Sequence, residues 1–123
     1  MSEIKSFKDL LIWQKGIEIV VLVYKIIADF PENEIYALSS QIKRCAVSIP
    51  SNIAEGYGRQ SSQSYKNFIK IARGSLYELE TQLIIAEKLK FFKSDYLITE
   101  IMLLITEENK MINSFLNKLE SKN

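Results

Sequence analysis

The stretch YKNFIKIARGSLYELETQLIIA, residues 65–86, carries the pattern that decides the fold. Its apolar side chains recur at alternating spacings of four and three residues, which places them along one face of an α-helix in a bundle. The members of this stripe are Tyr65, Ile69, Ala72, Leu76, Leu79, Leu83 and Ala86. The pattern therefore predicts a long helix that packs its stripe against neighbouring helices.

Turn residues and helix caps divide the rest of the chain into three further helices. We expect the four helices to cover roughly residues 7–29, 38–59, 64–90 and 94–119. Ser39 or Ser40 is expected to cap the second helix and Ser94 the fourth, while Pro50 should kink or break the second helix because it lacks an N–H group. No segment alternates with the period of a strand. The predicted fold is all-α, an antiparallel up-down-up-down four-helix bundle that forms one domain over residues 1–123.

The same spacing assigns core residues to the second and fourth helices. In the second helix the stripe is Leu38, Ile42, Cys45, Ile49 and Gly56. In the fourth helix it is Leu97, Ile101, Leu104, Met111, Phe115 and Leu119. The lone cysteine is therefore interpreted as a core residue, and a single cysteine is typical of a reducing, cytoplasmic compartment.

Composition argues against several classes of protein. The chain has no histidine, which removes the commonest general base and most zinc or iron sites. Glu107 and Glu108 are adjacent on a helix and diverge, so we expect solvated charges rather than an acid–base pair. The most apolar run, residues 17–28, is interrupted by Glu18 and Lys25 and is too short to cross a membrane. We expect no enzyme, metal, cofactor or membrane partner.

Some helix surface exceeds what one bundle can bury. The first helix is apolar on two sides, and the third carries Ile71 and Ile85 beside a mid-helix glycine, Gly74. The second helix has a polar stripe beside its core stripe, made of Gln41, Arg44, Ser48, Asn52, Glu55 and Arg59. A solvated face is one interpretation of this polar stripe. The other is an interface between copies, in which Arg–carboxylate pairs fix the register.

Positive charge is concentrated in the middle of the sequence. Between Ser39 and Arg73 there are six basic residues and one acidic residue, a balance of +5 in a chain whose net charge is +1. The residues that we expect to contact nucleic acid are Lys43, Arg59, Lys66, Lys70, Arg73 and the aromatic Tyr77. Such cations can bind phosphates while the ring stacks on a base. An ordinary solvated helix face, paired with nearby glutamates, is the alternative.

Three segments are similar to a known family. FKDLLIW at 7–13, QIKRCAVSIPSNIAEGYGR at 41–59 and ARGSLYEL at 72–79 resemble the four-helix-bundle proteins encoded in intervening sequences of bacterial 23S ribosomal RNA genes. The resemblance implies an up-down bundle that forms a pentameric ring. That family is also similar to the accessory variability protein of diversity-generating retroelements, which binds nucleic acid. The resemblance places six residues at motif positions with an interface or structural role: Arg44, Asn52, Glu55, Arg59, Gly74 and Glu78.

Two functions follow as alternatives from these observations. One is a homo-oligomeric ring that binds RNA or DNA through phosphate contacts, without strict sequence choice. The other is a structural or adaptor ring that binds another protein and no nucleic acid. In both, the predicted interface between copies comprises Gln41, Arg44, Asn52, Glu55, Arg59, Gly74 and Glu78.

Overall fold

Four α-helices account for most of the chain. The computed structural model describes residues 3–121, so the outermost positions of the predicted domain, 1–2 and 122–123, lie outside the described residues. The helices are α1 (Leu11–Ile27), α2 (Leu38–Tyr57), α3 (Ser62–Lys88) and α4 (Asp95–Ser121). Short 3-10 turns occur at Phe7–Asp9 and Glu32–Glu34, and no strand occurs between residues 3 and 121. The all-α prediction is confirmed.

Each helix packs against two others and buries one apolar face. α1 contacts α2 and α4, and α3 contacts the same two helices. The largest fully buried side chains come from all four helices and include Ile19, Ile26, Ile42, Ile49, Ile53, Ile69, Leu76, Leu79, Leu83, Ile101, Ile105 and Ile112. Burying a side chain of this size contributes about 1.5–3 kcal/mol relative to exposure. Within the described residues no helix combines the length and hydropathy needed to cross a membrane.

The predicted stripes agree with the structure in α3 and α2 and only partly in α4. In α3 every predicted core position from Ile69 to Ala86 is fully buried, and Tyr65 is half-buried. α4 buries the predicted Ile101, but its other buried positions lie next to or near predicted ones: Ile105, Glu108, Ile112 and Leu116. The predicted residues Leu104, Met111 and Phe115 pack at the edge of the core.

The prediction for Glu108 is wrong. This side chain is completely buried, whereas the neighbouring Glu107 remains at the surface and pairs with Lys15 at 3.1 Å. Glu108 follows Ile105 by three residues and precedes Ile112 by four, so it occupies a core position of the α4 stripe. Because glutamate is charged, a search for regularly spaced apolar residues did not include position 108 in the core stripe of α4.

The predicted N-terminal cap is present in α4 and absent in α2. The Ser94 hydroxyl accepts a hydrogen bond from the Tyr96 N–H at 3.1 Å, which confirms the predicted cap of α4. α2 begins at Leu38 after Ala37, with no side-chain cap, so neither Ser39 nor Ser40 serves. Ser39 is already inside the helix and buried. The first segment is divided, because Leu10 adopts an extended conformation between the 3-10 turn and α1.

Pro50 does not interrupt α2, which runs unbroken through it. The Ser48 hydroxyl donates to the Cys45 carbonyl at 2.6 Å, one turn before the proline. Gly16 of α1 lies directly against the proline ring, since a Cβ atom at Gly16 would lie 3.3 Å from Pro50 Cβ. The glycine therefore allows α1 and α2 to approach closely where the proline ring replaces an N–H group.

Candidate nucleic-acid interface

Four of the predicted nucleic-acid residues share one side of α3. Lys66, Lys70, Arg73 and Tyr77 are spaced by four, three and four residues and form what we call the cationic flank. The flank borders α4, because the Arg73 Nη1 donates to Asn113 Oδ1 at 2.9 Å. The Lys70 ammonium is 4.0 Å from a Glu120 carboxylate oxygen.

Members of the cationic flank differ in their access to water. Tyr77 is 46% exposed, and an accessible tyrosine ring is suited to stacking. Lys66 is mostly buried, and no ion pair to it occurs in the described part of the chain. Arg73 has five N–H donors, so its bond to Asn113 leaves donors for a phosphate. The flank can therefore contact a phosphate backbone through Lys70 and Arg73 and a base through Tyr77.

The other two predicted residues, Lys43 and Arg59, lie on α2 or just after it. The Lys43 ammonium is 5.1 Å from the centre of the Tyr24 ring on α1. Arg59 lies 4.6 Å from the Phe68 ring centre. Phe68 and Lys66 are about 200° apart around α3, so Arg59 reaches a different side of that helix. The structure thus brings together four of the six predicted residues.

The predicted polar stripe borders the groove between α2 and α3. Gln41, Arg44 and Ser48 of α2 line a shallow pocket together with Cys45 and Glu78. The Cys45 thiol donates to the Ser75 carbonyl at 3.0 Å. Burial, followed by the charge of Glu78, raises the pKa of Cys45 to about 12. The thiol therefore stays protonated near neutral pH and serves in packing rather than reaction.

Partners within the same chain already satisfy four of the six residues of this stripe, including the Ser48 hydroxyl, which donates to the Cys45 carbonyl. The Arg59 guanidinium pairs with Glu55 at 2.7 Å, and the Asn52 amide donates to the Ser48 carbonyl at 2.7 Å. Arg44 is exposed and makes no ion pair within residues 3–121. A Cβ atom at Gly74 would meet nothing within 4 Å, so this predicted contact position is open to the surroundings.

A second surface is apolar and was signalled by the two-sided pattern of the first helix. One side of α1 enters the core through Ile12, Ile19, Val23 and Ile26. The other side stays at the surface and, with one residue of α2, forms what we call the apolar face: Trp13, Ile17, Val20, Val21, Tyr24 and Val47. Their exposed fractions reach 51% at Val21. Tyr36 lies beside this face and is 97% exposed.

Within residues 3–121 no group of three His, Cys, Asp or Glu side chains is placed to hold a metal ion. The features that stand out are instead two surfaces of opposite character, the cationic flank and the apolar face. Both are suited to binding another molecule.

Comparison with known protein families identifies the chain. The model of the 23S rRNA-intervening sequence protein family matches residues 8–114. The chain belongs to this family. The match of this 23S rRNA-intervening sequence protein includes α1, α2, α3 and most of α4, and therefore contains the cationic flank and the apolar face. No curated protein matches the chain.

Proposed function

We propose that the protein is a non-catalytic homo-oligomer, a ring of five copies, that binds RNA or DNA through the cationic flank. The observation that carries the nucleic-acid part is the alignment of Lys66, Lys70 and Arg73 with the exposed Tyr77 on one side of α3. Cations at this spacing follow a phosphate backbone, and a tyrosine ring stacks on any base. Binding is therefore expected to tolerate different sequences.

The proposal includes an up-down-up-down order of the helices in one cytoplasmic domain. Contacts between successive helices support this order. Cys45 of α2 bonds to Ser75 of α3, whereas the later residue Gly56 lies against the earlier Phe68. The same reversal relates α3 and α4 through the contacts of Lys70 with Glu120 and of Arg73 with Asn113. A buried, protonated thiol at Cys45 suits a reducing compartment.

Assembly through the apolar face is supported by its composition. Soluble monomers rarely leave a contiguous apolar surface of this kind in water, and such surfaces commonly mark protein contacts. Arg44 supplies an exposed cation without an ion pair in the described chain, and Gly74 supplies an open spot on α3 where another helix can approach. The number of five copies follows from the family resemblance.

A ring changes the strength of nucleic-acid binding. One cationic flank makes few phosphate contacts, and in water each exposed charge contributes little. Five flanks joined in one particle convert later contacts into intramolecular ones, which raises the apparent affinity without any new residue. In the proposed assembly, contacts that are weak individually would therefore bind nucleic acid with a higher combined affinity.

The test is a binding titration with a 23S ribosomal RNA fragment and an unrelated RNA at several salt concentrations. Replacing Lys66, Lys70 and Arg73 together by glutamine should make the slope of log affinity against log salt about 1–2 less negative, since Lys70 and Arg73 are the two cations of the flank placed to contact phosphates, and should weaken binding at least roughly tenfold. A matched control removes three charges elsewhere, at Lys88, Lys90 and Lys93. Equal affinities of both triple variants, or binding that salt does not affect, would refute the nucleic-acid proposal.

A second candidate function is an adaptor ring for another protein. It is favoured by the internal partners of the flank, since Arg73 bonds to Asn113 and Lys70 lies near Glu120. The net charge of +1 also gives little general attraction to nucleic acid. Purification from cells with a stoichiometric protein partner and without nucleic acid would favour this function.

A further inference from the structure

Glu108 lies in the core, opposite the contact between α1 and α2. A Cβ atom added to Gly16 of α1 would lie 3.4 Å from Glu108 Oε2 and 3.3 Å from Pro50 Cβ. The carboxyl group of α4 and the proline ring of α2 therefore meet at the same glycine. At this level of the bundle the three helices approach closely because Gly16 has no side chain.

The carboxyl group of Glu108 has no hydrogen bond in the described structure to compensate for its burial. The residue is 0% exposed, and neither carboxyl oxygen has a hydrogen-bond partner in the structure. Burial raises the pKa of Glu108 to about 8, the nearby Lys15 lowers it and Glu18 raises it further. The group is therefore mainly a neutral carboxylic acid near pH 7, because charging it inside the bundle without a partner is costly.

The charged groups around Glu108 are few. On α1 they are Lys15 and Glu18, and Lys15 is held by Glu107 of α4 at 3.1 Å. α2 presents Pro50, which carries no charge. The buried side of α3 has Lys66 as its one charged residue in the described chain. Lys66 lies one turn from Lys70 on α3, and Lys70 contacts Glu120 of α4. Glu120 is about three turns of α4 away from Glu108, so Lys66 lies at a different level of the bundle from Glu108.

Pro50 connects this buried site with the surface. Its ring contacts the Gly16 and Glu108 side of the α1–α2 contact. It also lines the exposed groove of the apolar face, together with Trp13 and Ile17. Any separation of α1 and α2 at Gly16 therefore changes the floor of the groove that we assign to assembly.

We propose that Glu108 is a proton-sensitive lock behind the apolar face: its neutral carboxyl lets α1 and α2 close and the copies assemble, and its carboxylate opposes both. The lock presupposes the assembly proposed above. A carboxylate at this position needs water or a cation, and we expect either to enter where Gly16 and Pro50 meet the carboxyl group. Charging Glu108 therefore favours a wider α1–α2 contact and a disturbed groove.

The direction of the pH effect follows from proton linkage. An ordinary glutamate pKa of 4.5 applies to the unfolded chain, and a value of about 8 applies to the folded one. Between these values the folded state holds a proton that the unfolded state has lost, so stability falls as pH rises. The folding equilibrium constant should decrease about tenfold per pH unit in this range and level off above it.

The experiment measures particle mass by light scattering and the urea midpoint from about pH 5 to pH 9.5, the range in which the linkage acts. The wild-type protein is compared with Glu108→Gln, which is neutral throughout. Glu100→Gln serves as the control, because this partly exposed glutamate of α4 lies two turns before Glu108. Glu108→Met provides a second neutral side chain in case the amide disturbs the core.

We expect the wild-type midpoint and mass to fall with rising pH, as in Glu100→Gln, and both to be constant in a neutral variant at position 108. The same pH dependence in a neutral variant overturns the lock, and so does a wild-type mass that is constant across the range. A wild-type protein that is monomeric at every pH refutes the assembly and the lock together. A midpoint that still depends on Glu108 would then show only that the buried acid affects folding.

Discussion

The apolar face and the cationic flank differ in how far one copy of the chain satisfies them. Residues of the flank have partners of their own, such as Asn113 for Arg73 and Glu120 for Lys70. The apolar face leaves Val21 and Tyr24 about half exposed, with 51% and 46% of their surfaces accessible. Charged side chains of the flank remain hydrated in water at little cost in free energy, whereas removing exposed apolar surface from water is favourable. The apolar face therefore supports the proposed assembly more strongly than the flank supports the proposed nucleic-acid binding.

The largest expected effect is the loss of assembly when a charge enters the apolar face. Ile17→Glu places an unpaired carboxylate in the groove, which should weaken association by about 3 kcal/mol or more, over a hundredfold in Kd. The monomer should stay folded, because Ile17 is already 37% exposed. Analytical ultracentrifugation measures the change in Kd.

Leu103→Glu is the matched control for this prediction. Leu103 is 57% exposed on α4, away from the apolar face, so the same change there should leave the particle mass unaltered. An Ile17→Glu protein that retains its oligomeric mass, or a Leu103→Glu protein that loses it, would contradict the assignment of the interface to α1 and α2.

A smaller effect on the free energy of unfolding is expected from alanine at two glycines, one closely packed and the other open to the surroundings. A Cβ atom at Gly56 would lie 2.8 Å from Phe68 Cβ, so Gly56→Ala should lower the free energy of unfolding by about 1–3 kcal/mol. Gly74 faces open space, so Gly74→Ala should raise helix stability by about 1 kcal/mol. Urea denaturation measures both, in the Ile17→Glu background to remove any contribution from assembly.

The Gly56→Ala and Gly74→Ala variants also test whether Gly74 lies in the interface between copies. In the assembled protein Gly74→Ala should weaken association if a neighbouring copy packs closely on α3 at that position. If the alanine variant is both more stable and equally well assembled, Gly74 lies outside the interface. Equal destabilisation by both alanines would contradict the packing described for α2 and α3.

The smallest expected effect concerns the polar stripe. Arg44 lacks an ion pair within the described chain, so it is the member most able to pair across copies. Arg44→Ala should weaken association by about 1 kcal/mol, or roughly fivefold. Lys93→Ala, which removes an exposed charge between α3 and α4, is the control. A stripe that is merely solvated would make the two variants indistinguishable in sedimentation.

The α3 stripe could be predicted from the sequence because its alternation of four-residue and three-residue spacings is regular from Tyr65 to Ala86. α4 was harder, because Leu104 precedes Ile105, and Phe115 precedes Leu116. Adjacent apolar pairs permit two stripes about 100° apart, and only packing against α1 and α3 chooses between them. Glu108 then made the true stripe look interrupted.

Prediction of the surfaces was also partial for physical reasons. The two-sided pattern of the first helix indicated surplus apolar surface but not which side enters the core. Helical spacing puts Lys66, Lys70, Arg73 and Tyr77 on one side of α3, and their role in binding nucleic acid stays a prediction. The positions of Lys43 and Arg59 depend on contacts between helices, with Tyr24 and Phe68, which spacing along one helix does not contain.

The most direct measurement is the mass of the purified protein by multi-angle light scattering at micromolar concentration near neutral pH. The proposed ring has a mass of five times the 14.2 kDa of the chain. A stable, folded species of 14.2 kDa at that concentration would contradict it, since the apolar face would then tolerate water without a second copy.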